Sequence, residues 1–494
     1  MTNSAPAPAT AIVIGSGFGG LALAIRLQSA GVATTVIESR DRPGGRAYVW
    51  KQDGYTFDAG PTVITDPDCL QELWSLSGNR MEDDVTLLPV QPFYRLLWND
   101  GTAFDYSNQE EALNAEIAKL DPADVAGYAR FLEYSRSVYQ EGYVKLGAVP
   151  FLHFSSMIKA APALMKHQAW RSVYDLVSGY VRNDKLRQAL SFHTLLVGGN
   201  PMKTSSIYAL IHHLEKTGGV WFAKGGTNAL VSGMVALFER LGGRIVLGDA
   251  VRRITHSGNR VTGVVTASGD AFLADMVASN GDLVHSYGLI EGSAYAGRQV
   301  RSLKRRRFSP SLFVVHFGLK GNFPDIAHHS ILFSDRYGPL LEDIYRHGRL
   351  APDPSLYLHH PSATDPDMAP PGKAAFYALA PVPHMGKAPV DWEVEGPRYR
   401  QVVLERVRDL LIPDLFDRLD TCFHYTPQDF AGDLGAHLGS AFSLEPVLTQ
   451  SAWFRAHNRD DHFPNLYFVG AGTHPGAGIP GVVGSAKATA SLIV

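Results

Sequence analysis

The hexapeptide Gly15-Ser16-Gly17-Phe18-Gly19-Gly20 stands between a short apolar run, residues 11–14, and a stretch in which Leu21, Ala24, Ile25 and Leu27 recur at helical spacing. The pattern predicts a strand, a glycine turn and a helix. Gly15 permits the tight turn, Gly17 lets the backbone approach a pyrophosphate, and Gly20 lets the helix pack closely on the strand, with helix-terminal N–H groups facing the phosphates. Gly31 suits the helix's carboxyl end. Residues 34–37 predict a second strand ending at Glu38, 18 residues beyond Gly20, where a carboxylate meets a ribose diol and disfavours a phosphorylated ribose such as that of NADP. The turn suits FAD and NAD equally, because both present the same adenosine pyrophosphate.

Two further glycine clusters carry related chemistry. Gly44 and Gly45 let the chain pass close to a nucleotide, and Arg46 adds a fixed cation with a fork of donors. Near the other end, a short strand over residues 466–469 leads into Gly470-Ala471-Gly472-Thr473, and a helix is predicted to begin near Gly481, so another set of backbone donors points into a cleft. A structural glycine turn is the alternative for that last cluster, and with its partner motif the functional reading is taken.

These clusters need a scaffold. Residues 229–241 predict a helix, stopped by Gly242-Gly243 and followed by two strands. From about 121 to 217, positions such as Phe131, Tyr134, Val138, Trp170 and Val177 are periodic with few strand signals, which predicts a helical insertion. Residues 310–319 and 373–381 read as buried strands of a separate mixed sheet. The expected fold class is α/β: a discontinuous Rossmann-like domain over 1–75, 220–300 and 455–494, a mixed-sheet substrate domain over 76–120 and 301–454, and the helical insertion over 121–219.

The 494 residues carry 45 Lys and Arg against 48 Asp and Glu, a net charge of −3, so no cationic field draws phosphate backbones and nucleic-acid binding is disfavoured. Cys69 and Cys422 lie far apart and form no Cys-x-x-Cys pair, which fits a reducing cytoplasm. No apolar run approaches the roughly 18 to 20 residues of a membrane-spanning helix. The first ten residues read as a frayed leader and not as a secretory signal, and the chain stops at Val494 inside what reads as its last helix. The histidine pairs His212-His213, His328-His329 and His359-His360 stand in no HExxH arrangement and are expected to be structural or exposed, so no metal site is expected. Without a GxSxG elbow or a Walker loop, acyl and phosphoryl transfer are disfavoured.

Taken together, GSGFGG with Glu38, SRDRPGGRA at 39–47, GYTFDAGPTVITDP at 54–67, FHTLLVGGNP at 192–201, EPVLTQSAWFR at 445–455 and NLYFVGAGTHPGAGIPGVVGSAKATA at 465–490 resemble the bacterial and fungal type phytoene desaturase family of carotenoid biosynthesis. That family lies within the FAD-dependent amine oxidase and GDP dissociation inhibitor fold group, and the resemblance covers essentially the whole chain. It implies that the Rossmann-like domain binds FAD through Gly15, Gly17, Gly20, Glu38, Gly44, Gly45 and Arg46. It further implies that Asp58, Gly60, Pro61, Thr62 and Pro475 lie near the flavin, and that Gly470, Gly472, Thr473 and Gly481 belong to a segment closing over the ring. Val251 would lend its backbone to the adenine, or else is an ordinary core strand valine.

The implied reaction removes two hydrogens across a carbon–carbon single bond, a hydride passing to the flavin and a proton leaving the neighbouring carbon, to carry phytoene towards neurosporene or lycopene. Two alternatives stay open: a related carotenoid oxidoreductase acting on a hydroxylated intermediate or diapophytoene, and a non-redox prenyl-lipid carrier on the same fold. His474 has the side chain whose ordinary pKa suits proton transfer near neutrality, although packing against the flavin explains it as well. A forty-carbon hydrocarbon offers no polar handle, so its site must be an apolar tunnel and its reservoir the membrane lipid. Loose attachment to the inner face of the cell membrane is expected through residues 151–170, with Lys159, Lys166 and His167 among apolar neighbours, or through Arg301, Lys304, Arg305, Arg306 and Arg307 beside Phe308, a run that also reads as a solvated charged face.

Overall fold

The computed structural model describes residues 8–494; the first seven residues of the expected leader lie outside them. β1 (Thr10–Ile14), α1 (Phe18–Ser29) and β2 (Ala33–Ile37) form the expected strand, turn, helix and strand. Gly17 caps the start of α1, and Gly31, at φ +85°, ends it. β1 pairs in parallel with β2 on one side and with Met276–Ser279 on the other; Leu466–Phe468 and Arg244–Val246 complete a parallel five-stranded sheet. Parallel neighbours require crossovers. Here the crossovers are most of the protein, which is why strands so distant in sequence share one sheet.

Both faces of this sheet are covered, as parallel sheets require. Ala11 and Val13 of β1 face α1, which packs between Thr227–Arg240 and Ile479–Ala490. Ile12 points the other way and joins Ile37, Val277 and Leu466 against Val251, Ile254 and Val264 of a three-stranded antiparallel sheet.

The second large sheet has seven strands. Ser311–Lys320 lies antiparallel between Lys373–Val382 and Leu419–Tyr425, matching the two strands expected from the sequence. His329–Leu332 runs parallel to Tyr94–Leu97, so the sheet is mixed. Alternation along its strands sorts the side chains. Phe313, Val315, Phe317 and Phe376 pack on the helix Trp392–Leu410, whereas Val314, Ile331, Tyr357 and Tyr377 face the opposite side, towards the helical part of the chain.

Helices Asp124–Val138, Phe154–Lys166 and Leu210–Gly218 make up most of that part, with Glu110–Leu120 just ahead of them. Other differences are local. The last helix is Ile479–Ala490, capped by Gly478, so it opens before Gly481 and ends before Val494. Phe308, expected to accompany a surface basic run, is 3% exposed, because an isolated antiparallel bridge to Leu444 draws it inward.

Asn465 ties the carboxyl-terminal strand to the middle of the chain: its Oδ1 accepts from Val261 N at 3.0 Å, and its Nδ2 donates to Val261 O at 2.8 Å and Asp275 O at 2.6 Å. Asn465→Ala leaves these groups unpaired at about 1–3 kcal/mol each. Denaturant unfolding of that variant is expected to show a loss of about 3 kcal/mol at unchanged m-value.

Candidate functional site

β1, Met276–Ser279 and Leu466–Phe468 are parallel, so their carboxyl ends lie at one edge of the sheet and the loops leaving them meet there. The contact is between backbones. A Cβ on Gly20 would lie 2.1 Å from Gly15 O, and one on Gly470 would lie 2.4 Å from Asn280 Nδ2. Asn280 sits between the first and last glycine clusters and donates to Val469 O at 3.0 Å. Asp282 then caps the helix Leu283–Gly288 through Oδ1, while Oδ2 stays buried without a partner. Sequence reasoning passed over Asn280 and Asp282. Their signal was available: a buried strand ending in Ser279-Asn280-Gly281-Asp282 before a short helix repeats the strand, turn and helix of the amino terminus.

The Gly44-Gly45 segment docks onto the first turn. Gly44 bridges in parallel to Gly17 and donates from N to Ser16 O at 3.1 Å, at φ +129°, which excludes other residues. Ser16 in turn donates from N and Oγ to Glu38 Oε2, at 2.9 and 2.6 Å, and Ser39 Oγ and Arg40 N donate to Oε1. Glu38 is thereby fixed with its four acceptor positions occupied. A ribose diol reaching it competes with the two serine hydroxyls, which can rotate away. Arg46 projects beside this turn with its Nε buried and unpartnered, and burial lowers its pKa, Asp282 being the nearby charge that opposes the shift. A guanidinium so placed calls for an anion.

One continuous cavity of about 760 Å³ receives these groups. Gly15, Gly17, Glu38, Gly44, Gly45, Arg46, Gly60, Pro61, Thr62, Val251, His474, Pro475 and Gly481 all line it. Gly20, Gly470, Gly472 and Thr473 stand behind its wall: Thr473 Oγ1 is committed to Gly470 O at 3.0 Å and Ser485 Oγ at 2.7 Å, and a Cβ on Gly472 would meet Leu283 Cγ at 2.8 Å. Val251 lines the cavity and also packs in the core, as its strand reading expects. Glycines, backbone donors, Arg46 and a carboxylate at the strand end fit a dinucleotide pyrophosphate and its ribose.

Beyond the cradle the cavity is walled by hydrocarbon side chains, including Leu164, Leu195, Leu196, Phe333 and Leu379. Few polar groups enter this limb. Thr62 Oγ1 lies 2.8 Å from both Tyr357 OH and Tyr377 OH, and Tyr357 OH lies 2.7 Å from His329 Nδ1. Farther along, Tyr94 OH donates to Glu215 Oε1 at 2.7 Å, and His193 Nε2 stands 3.1 Å from Glu215 Oε2. His474 donates from Nε2 to Leu146 O at 2.9 Å, and burial pushes its pKa down to about 4, so it is neutral and weakly basic at pH 7. Asp58 does not line the cavity; burial raises its carboxyl to about 7. Nothing in the sequence linked His193 with Glu215, or brought together His328-His329 and His359-His360, which are buried: His328, His329 and His359 each place a ring nitrogen within 4.8 Å of the others.

The flavin containing amine oxidoreductase family matches residues 18–494. The chain is 61% identical to a lycopene-forming phytoene desaturase of Paracoccus sp. (strain N81106 / MBIC 01143), over 100% of this chain and 99% of that one. It is 44% identical to a neurosporene-forming phytoene desaturase of Cereibacter sphaeroides, over 98% and 94% of the two chains. Among solved structures, wild-type putrescine oxidase bound to putrescine superposes with a TM-score of 0.66 at 16% identity, covering 98% of each chain, a likeness of fold.

Arg46→Met removes the cation while keeping an apolar stem of similar length. A charged hydrogen bond of this kind contributes about 1.5–3 kcal/mol, so FAD affinity is expected to fall about 10- to 150-fold, read by titrating apoprotein with FAD and following flavin fluorescence.

Proposed function

The chain belongs to the flavin-containing amine oxidoreductase family, and on that premise we propose that it is an FAD-dependent phytoene desaturase that introduces successive double bonds into phytoene, towards neurosporene or lycopene. The observation that carries this reading is the single cavity that joins an anion cradle to an apolar limb. When bound, FAD supplies the two-electron oxidant that takes a hydride from carbon. The protein's residues do the rest. Backbone donors of the first turn and Arg46 would hold the pyrophosphate, Gly60, Pro61 and Thr62 would stand near the ring, and the hydrocarbon wall would align a substrate that has only shape to be recognised by. That wall also keeps water from the reacting carbons.

The five-stranded sheet draws its strands from 1–75, 220–300 and 455–494, which supports assigning those segments to FAD binding, 76–120 and 301–454 to the substrate, and 121–219 to a helical insertion. The helix Phe154–Lys166 supports a membrane contact. Its inner residues Met157, Ala160 and Leu164 line the cavity, while Phe154, Ile158 and Met165 are 53%, 62% and 68% exposed beside the exposed Lys159 and Lys166. An amphipathic helix of this composition lies in the headgroup region with its cations near anionic lipid. The basic run at 301–307 offers less: Arg306 donates to Phe454 O, Arg307 pairs with Glu445, and Phe308 is buried. Among the described residues no helix is long and apolar enough to cross a membrane, so we assign peripheral attachment at the inner face of the cell membrane.

Anaerobic mixing of the FAD-loaded protein with phytoene in vesicles is expected to bleach the flavin while longer-wavelength polyene absorption appears; FAD binding without either signal would withdraw phytoene as the substrate. In flotation with anionic vesicles, the double substitution Ile158→Ser and Met165→Ser is expected to lower the bound fraction at least tenfold, each buried apolar side chain contributing about 1.5–3 kcal/mol. Charge reversal at Arg305 is expected to leave flotation unchanged.

A further inference from the structure

Desaturation releases a proton as well as a hydride, and the apolar limb has few groups to receive it, the His193–Glu215 pair and one hydroxyl chain among them. The hydroxyls of Tyr377, Thr62 and Tyr357 form one chain in the cavity wall, each link 2.8 Å, and the chain leaves the cavity at His329 Nδ1, 2.7 Å from Tyr357 OH. His329 and His359 are paired across two antiparallel strands with their rings stacked at 5.5 Å, and their ring nitrogens lie within the 4.8 Å cluster. His329 Nε2 and both nitrogens of His359 are buried with no partner. His359 Nε2 stands 3.5 Å from Asp58 Oδ2, itself buried and unpartnered, while Asp58 Oδ1 accepts from Thr227 N at 2.7 Å. A carboxylate serving only to cap the helix Thr227–Arg240 needs one oxygen. The second is aimed at an imidazole that leads back to the cavity.

We propose that Tyr357, His329, His359 and Asp58 form a proton exit from the substrate cavity, with Asp58 Oδ2 as its terminus; the proposal rests on the desaturase reading. One polarity open to the chain runs the right way: with Tyr377 donating to Thr62, Thr62 to Tyr357, and Tyr357 to His329 Nδ1, the His329 proton sits on Nε2, the ring nitrogen without a partner. When the hydride leaves one carbon for the flavin, the C–H bond of the neighbouring carbon breaks and its electron pair becomes the new π bond. The released proton joins the hydroxyl chain, the Tyr357 proton passes to His329 Nδ1, the Nε2 proton passes to His359 Nδ1 once a turn of the stacked rings closes the gap between them, and His359 Nε2–H delivers its proton to Asp58 Oδ2. The hydride carries both electrons, so no other oxidant is required.

The surroundings suit these roles. Burial holds His329 and His359 well below their ordinary pKa, so they pass a proton without storing it. Burial raises Asp58 to about 7, against the two backbone donors of Thr227 and Asn228 that hold it down. The titratable groups facing Asp58 are His359, His316, whose Nε2 donates to Asp58 O at 3.1 Å, and the phenols of Tyr357 and Tyr377. His316 is also held neutral, its pKa lowered to about 3. Asp58 is a proton acceptor only when ionised, so the rate of the step rises with pH through about 7.

The test is the rate of anaerobic flavin bleaching by phytoene across that range in the FAD-loaded protein. Asp58→Asn keeps an acceptor for Thr227 N and is expected to bleach roughly 100-fold more slowly, with the rise near pH 7 abolished; Asp58→Glu is expected to restore a rise at a shifted pH. Tyr357→Phe, which breaks the chain at the cavity wall, is expected to slow bleaching and flatten the same rise. A readout independent of phytoene is the infrared carbonyl band of a protonated carboxylic acid, which should titrate near pH 7, vanish in Asp58→Asn and shift in Tyr357→Phe. An Asp58→Asn protein that binds FAD normally and keeps the native pH profile, or the absence of that band, overturns the proposal. So does a stoichiometric divalent cation retained by the native protein and lost in His329→Gln, since the imidazole lone pairs would then be occupied. Failure of the native protein to bleach, with the band present, instead overturns the desaturase reading on which the catalytic use of the chain rests.

Discussion

The structure depends on a backbone contact that tolerates no side chains. Gly20 leaves a would-be Cβ 2.1 Å from Gly15 O, the Gly44 segment bridges to Gly17, and Asn280 fills the space between the first turn and Gly470. Segments from the beginning, middle and end of the chain must reach this point together. That requirement fixes the topology: strands carrying the loops must be neighbours in one parallel sheet, and everything that separates them in sequence must fold outward from it and return. The seven-stranded sheet and the helices are those excursions. The cavity lies where they close back over the strand ends, so the place for the substrate follows from the place for the cofactor.

A second constraint is set by polarity. A dinucleotide demands ionic and hydrogen-bonding partners, while a hydrocarbon demands their absence, and the two must meet within bonding distance. The chain separates them by secondary structure. Polar contacts come from backbone at strand ends, where N–H groups are free in any case, whereas the apolar limb is walled by side chains of helices and by one face of a sheet. Period-two alternation makes the division possible: Val314, Tyr357 and Tyr377 look into the cavity side while Phe313, Val315 and Phe376 serve the core beneath the helix Trp392–Leu410. Buried groups left without partners mark where the division is incomplete. Arg46 Nε faces the cradle, and the nitrogens of His329 and His359 with Asp58 Oδ2 gather behind the hydroxyls of the wall. Leaving each such group unpaired costs about 1–3 kcal/mol.

What the sequence revealed follows from the range of each signal. The first turn, Arg46, and the strands at 311–320 and 373–382 are local patterns, complete within a dozen residues, and the structure has them within a residue or two. His474 shows residue type misleading about chemistry, because its ordinary pKa suggests proton transfer near neutrality and only the folded environment reveals a shift to about 4. The histidine cluster was hidden for a different reason. His329 and His359 become neighbours through strand register, and a period of two says which face a residue occupies but not which strand lies beside it. His193 and Glu215 meet across separate helical turns, with no spacing rule to join them.

The helix Phe154–Lys166 links the cavity to the exterior, and its composition is hard to explain by either side alone. A surface helix over a core would expose polar residues opposite its buried stripe. This one buries only Ala160, turns Met157 and Leu164 to the cavity and leaves Phe154, Ile158 and Met165 exposed beside them, so its apolar stripe runs on past the cavity onto the surface, with Lys159 and Lys166 on the remaining side. Nearby Trp170 is 65% exposed as well. Apolar groups clustered this way on a water-facing surface would be an aggregation liability, and in a lipid headgroup layer they are not exposed to water at all. On the peripheral attachment proposed above, a substrate dissolved in the bilayer would meet the thin wall of the cavity without crossing water. That attachment would place the boundary between lipid and cavity at a single helix, whose inner residues line the cavity.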